Sequence, residues 1–64
     1  MVYVTDKIIA DRRVITIYRT ATGIIPDGAM VLPDNVSLKG IRAAYKYIYG
    51  DKAMVLIADL TQLK

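Results

Sequence analysis

The sequence predicts a small α+β domain of order β-β-β-α-β, with one helix packed on a mainly antiparallel mixed sheet. Three observations lead there. Two runs rich in β-branched residues near the N-terminus, Val2 to Ile9 and Val14 to Thr20, are parted by a short charged break. A stretch from Ser37 to Gly50 repeats its apolar residues at helical spacing. An unbroken aliphatic run, Ala53 to Ala58, follows it. Residues 1–64 are read as a single domain, since the chain has no linker, internal repeat or low-complexity segment.

The first strand, Val2 to Ile9, stops at Ala10, Asp11, Arg12 and Arg13. On the second, Ile15 and Ile17 share one face and Val14, Thr16 and Tyr18 the other. Neither face is plainly polar, which predicts a sheet covered on both sides, once by the helix and once by something else. Ile25-Pro26-Asp27-Gly28 is a turn signature: proline presets φ at the first central position and glycine accepts a positive φ after it. A short third strand, Ala29 to Leu32, then ends at Pro33. The short spacing of these strands predicts an antiparallel meander.

Ser37 is the expected helix N-cap, with Asn35 and Asp34 as earlier alternatives, and Val36 is placed to pack on Ile41 as a hydrophobic staple. Gly50 suits a left-handed C-terminal cap. Lys52 to Leu60 returns as a strand whose apolar middle reads as buried on both faces. Short links around the helix make the third and fourth strands parallel through a right-handed crossover. With a meander before it, the first strand is then parallel to the fourth as well.

The composition narrows the chemistry. There is no cysteine and no histidine, so no disulfide, no thiolate metal site and none of the commonest general bases. The single serine, Ser37, is accounted for by the helix cap, and no phosphate-binding loop occurs. The expectation is a protein that is not an enzyme and takes no cofactor. Asp6 and Asp59 each end an apolar run; on parallel neighbouring strands they would share a sheet edge and offer Mg²⁺ two carboxylates. Aspartate also commonly ends strands, and no metal site is assigned to them. Asn35-Val36-Ser37 matches a glycosylation acceptor by a pattern that arises often by chance.

Hydrophobic residues make up 55% of the chain, above the ~45–50% of ordinary soluble domains. A chain this short buries only roughly 60% of its unfolded surface, so homo-oligomerisation is the default expectation. The longest aliphatic run is too short to cross a membrane and Asp6 and Lys7 interrupt the apolar start, which makes a cytoplasmic location the default.

Nine basic residues against six aspartates give a net charge of +3, compatible with nucleic acid or an acidic partner. The helix divides into three stripes. Leu38, Ile41, Ala44, Tyr45 and Ile48 form the expected core stripe. Lys39, Arg42 and Lys46 form a basic band with Tyr49 at its end, and Gly40, Ala43 and Tyr47 point away from the sheet. No acid occurs between Ser37 and Gly50. The band has two readings, a solvated face or a nucleic-acid contact in which cations meet phosphates and tyrosines stack on bases; Arg12, Arg13 and Arg19 are candidates to extend it. The outer patch of small residues reads as an interface for a second copy or a protein partner. The expected function is thus a regulatory or architectural nucleic-acid-binding protein, with a protein-interaction module (inhibitor, adaptor or assembly subunit) as the alternative.

Overall fold

The computed structural model describes residues 1–62. Its elements are β1 (Val2–Ile9), β2 (Arg12–Arg19), β3 (Met30–Leu32), α1 (Leu38–Tyr49) and β4 (Ala53–Asp59), with one 3₁₀ turn at Gly50–Lys52 and another at Leu60–Gln62. It is a mixed α+β fold: β1 runs antiparallel to both β2 and β3, β4 runs parallel to β2, and the helix packs on the sheet.

The sheet order is β3-β1-β2-β4, which corrects the expected meander. β3 turns back past β2 and pairs with β1, so Tyr3 faces both Tyr18 and Val31. The connection from Thr20 to Ala29 is longer than the two to five residues of a hairpin, long enough to carry the chain across β1. β3 and β4 do point the same way, as expected, but on opposite edges of the sheet. β1 is antiparallel to β4, with β2 between them.

The break between β1 and β2 is tighter than its four charged or small residues implied. Only Ala10 and Asp11 lie outside the strands, at φ of 51° and 64°. Two consecutive positive φ values make the two-residue hairpin turn whose twist matches the strands. Ala10 is poorly suited to that conformation, which disfavours a Cβ, and Asp11 tolerates it less well than glycine. Replacing the pair by Asn-Gly should therefore raise stability by about 1 kcal/mol, seen as a higher urea midpoint. An unchanged or lower midpoint would contradict this turn.

The second turn is displaced by one residue from its expected frame. The Ala29 amide donates to the Pro26 carbonyl at 3.2 Å. Pro26 is thus the first residue of the turn, and Gly28 takes the positive φ, 84°, at the third. The helix starts where its sequence says. Ser37 has extended backbone angles and its hydroxyl accepts from the Gly40 amide at 3.2 Å. At the other end the Gly50 amide donates to the Lys46 carbonyl, with φ 60° and ψ −135°. The positive φ was expected; the ψ lies outside the left-handed helical region, in territory open to glycine alone.

Alternation decides what is buried. Val2 and Val4 of β1, Ile15 and Ile17 of β2, and Ala53 and Val55 of β4 form the core, joined from the helix side by Leu32, Val36, Leu38, Ile41, Tyr45 and Tyr49. The helical contribution corrects the expected stripe: Tyr49 replaces Ile48, which is 68% exposed, and Ala44 is exposed as well. β4 is an edge strand, not a central one, and Met54, Leu56 and Ile57 are all exposed. On the face away from the helix, Tyr3 and Tyr18 stack across β1 and β2 with centroids 4.8 Å apart, a cross-strand pair of the kind that stabilises sheets by about 0.2–1 kcal/mol.

Candidate nucleic-acid interface

The basic side chains do not act as one group. Lys39, Arg42 and Lys46 are all exposed on the flank of α1. Arg42 leans over the free edge of the sheet, where its Nε donates to the Val55 carbonyl at 3.3 Å. That carbonyl belongs to a strand with no neighbour on its outer side. A cation laid over an open edge discourages further strands from adding there.

Arg12 comes to the same place from the far end of the molecule's sequence. β2 and β4 are parallel and in register, Arg13 opposite Ala53, so Arg12, on the sheet face away from the helix, lies beside the start of β4. Arg12, Arg42 and Lys46 line one groove of about 390 Å³, floored by Met54 and Leu56, with Asp51 as the acid on its rim. Among the described residues no carboxylate is ion-paired with Arg12, Lys39, Arg42 or Lys46. Tyr47, next to this band on the outer helix face, is 91% exposed.

Arg13 and Arg19 are engaged elsewhere. Arg13 points from β2 to the face that packs on the helix: its Nη1 donates to Asp6 Oδ2 at 2.7 Å and to the Tyr49 hydroxyl at 3.3 Å. Its guanidinium carbon lies 4.8 Å from the Tyr49 ring centre, a cation–π arrangement. Tyr49 in turn stacks on Tyr45 at 6.3 Å and packs on the core. Neither residue is presented with the basic band. Arg19 donates through Nη2 to the Val36 carbonyl at 2.9 Å, which ties β2 to the helix entry. Gly40, Ala43 and Tyr47 are exposed together, as placed by the helical period.

Asp6 and Asp59 do not meet. Asp6 is opposite Ile15 and Asp59 opposite Arg19, four positions apart along β2 and on either side of it. With about 3.3 Å per residue and about 4.8 Å per strand, that puts them roughly 16 Å apart. Each has a local partner instead. Asp6 holds Arg13, and Asp59 accepts from the Thr61 hydroxyl and amide. The Thr61 hydroxyl is the main cause of an Asp59 carboxyl held below its ordinary value; loss of solvation opposes it, and the Thr61 amide and the Arg19 charge add to it. Among the described residues no group of three or more His, Cys, Asp or Glu side chains gathers.

A second groove, of about 240 Å³, opens on the other side of the helix between Tyr45, Tyr49, Val4 and Met30. Its one carboxylate, Asp6, is already bound by Arg13. Arg12 was one of three arginines that the sequence offered as extensions of the band; what singles it out from Arg13 and Arg19 is the pairing of β2 with β4, residues about forty positions apart. Among the described residues no helix is long and apolar enough to cross a membrane. No family model, curated protein or solved structure matched the chain.

Proposed function

We propose that the protein binds nucleic acid without catalysing a reaction, as a regulatory or architectural factor that grips the phosphate backbone. The observation that carries this reading is the convergence of Arg12, Arg42 and Lys46 on one groove, with Lys39 beyond them and no ion-pair partner among the described residues. Unpaired cations spaced along a groove match the repeating charge of a polynucleotide better than a single acidic group. Tyr47, exposed beside them, supplies a ring on which a base can stack. Side chains suited to reading base edges are scarce, so contacts to phosphate dominate and recognition follows shape more than sequence.

The test is a salt titration with duplex DNA and with single-stranded RNA. Four phosphate contacts give a log–log slope of about −3.6 on duplex and about −2.8 on a single strand. Changing Arg42 and Lys46 together to alanine should flatten the duplex slope by about 1.8. Tyr47→Ala should weaken single-strand binding by about 1–3 kcal/mol and leave the slope unchanged. No binding at low salt, or an unaltered slope in the double variant, removes this reading.

A further inference from the structure

We propose that a second copy of this chain docks on the sheet face opposite the helix, forming a two-sheet sandwich with a helix on each outer side. The proposal starts from area. The chain exposes 4802 Å², whereas a compact chain of 7.1 kDa exposes about 4,100 Å². The difference, roughly 700 Å², is a surplus over the whole surface; an interface of standard size takes ~800 Å² from each partner.

The strand register shows apolar surface left over on both faces, at Ile8, Met30 and Ile57 on the helix side and across several strands on the other. Residues facing away from the helix are Tyr3, Thr5, Lys7 and Ile9 on β1, matched by Tyr18, Thr16, Val14 and Arg12 on β2. Val31 adds to them from β3, and Met54, Leu56 and Ala58 from β4. Ile9, Val31, Leu56 and Met54 are 57%, 55%, 43% and 40% exposed, around a centre where Tyr3 is already buried at 7%. Among the described residues the strands put no acid on this face, and the two cations they put there, Lys7 and Arg12, sit together at the hairpin end. Hydrophobic side chains uncovered in this way on a sheet are what two packed sheets bury between them, about 10 Å apart.

Charge selects this face over the two other routes to a dimer. Joining two β4 edges would displace Arg42 from the Val55 carbonyl and bring two sets of Arg42 and Lys46 together. Packing helix on helix through Gly40, Ala43 and Tyr47 would oppose two bands of Lys39, Arg42 and Lys46. Face-to-face packing does neither. A two-fold axis lying in the interface and crossing the strands puts the Lys7 and Arg12 pairs at opposite ends of the sandwich. The same axis leaves both β4 edges, with Arg42 and Lys46, on one side of the dimer, while Met54, Leu56 and Arg12 line both the interface and the groove beside it. The interface itself does not depend on nucleic-acid binding.

Sedimentation equilibrium without nucleic acid should give twice 7.1 kDa across a micromolar concentration series. Leu56→Asp should give the monomer mass with the far-ultraviolet spectrum retained, and Tyr47→Glu should leave the dimer intact. A second measurement needs no variant: in the wild type, the Met54 and Leu56 methyl signals should be shielded from a soluble paramagnetic agent while that of Ile48 is bleached. A wild-type monomer overturns the proposal. So does a dimer lost in Tyr47→Glu, or Met54 and Leu56 methyls bleached as strongly as that of Ile48. Salt titration failing while the dimer persists would remove the nucleic-acid reading and leave this interface standing.

Discussion

Ile17→Ala is expected to abolish most of the stability of this protein. Ile17 is fully buried, next to Ile15 and Val55 in a core of six buried side chains with helix residues packed on it. Removing its outer methyl groups forfeits their transfer from water and leaves a cavity that a tight sheet–helix interface cannot close. The cost is about 2–5 kcal/mol. A chain of 64 residues has on the order of 3–10 kcal/mol in total, with no cysteine to form a disulfide. Urea denaturation followed by circular dichroism should show the midpoint falling by roughly half, or no folded baseline at all. Ile24→Ala is the control: its side chain is 80% exposed, and the change should stay within about 0.5 kcal/mol. Equal effects at the two positions would mean that the helix does not rest on the Ile15–Ile17 face.

The second large effect separates two adjacent helix residues. Tyr49→Ala should cost about 2–3 kcal/mol, less than a fully buried aromatic because Tyr49 is only half buried. It removes the packing on the core, the stack on Tyr45 and the seat of the Arg13 guanidinium. Tyr49→Phe keeps the ring and loses only the hydroxyl that accepts from Arg13, about 0.5–1.5 kcal/mol. Ile48→Ala should be nearly neutral, within about 0.5 kcal/mol, since its side chain is exposed and alanine favours the helix. Urea midpoints of the three variants give the order. If Ile48→Ala proved the costlier, the helix would sit about one residue, or about 100°, from its place on the sheet.

That pair also marks how far periodicity reaches. Leu38, Ile41 and Tyr45 are fixed as core by spacing alone, and they pack as expected. At the last turn the period admits both Ile48 and Tyr49, and hydropathy favours isoleucine. The choice falls on tyrosine because Arg13 and Asp6 stand on the sheet beneath it, and those residues come from strands more than thirty positions away in sequence. Arg13 was legible as a cation but not as the partner of Asp6, an exposed carboxylate on the neighbouring strand. The basic band shows the same division. Helical spacing was enough to group Lys39, Arg42 and Lys46, whereas Arg12 joins them only through the parallel pairing of β2 and β4.

The strands repeat the pattern on a larger scale. Their existence followed from β-branched composition, and the alternation of Ile15 and Ile17 against Val14, Thr16 and Tyr18 predicted which side chains share a face. The aliphatic run of β4 looked like a strand enclosed on both sides, yet it lies at an edge with Met54 and Leu56 in the open. The same run suits either position, since apolar residues on an edge strand can be covered by a neighbouring chain as well as by the fold itself.

By itself, then, the sequence determined the elements, the Ser37 cap, the positive φ at Gly28 and Gly50, which residues of β2 share a face, and the inward helix residues as far as Tyr45. These depend on contacts within a turn or two of chain, where side-chain volume, hydrogen bonding and backbone sterics act at once. Only the tertiary structure decided that β3 crosses to β1, that β4 closes an edge under Arg42, and that Asp6 and Asp59 stand apart. Those outcomes depend on which strand edge a distant segment reaches and what surface it can cover there, a competition settled by packing across the whole chain and not by any local stretch of it.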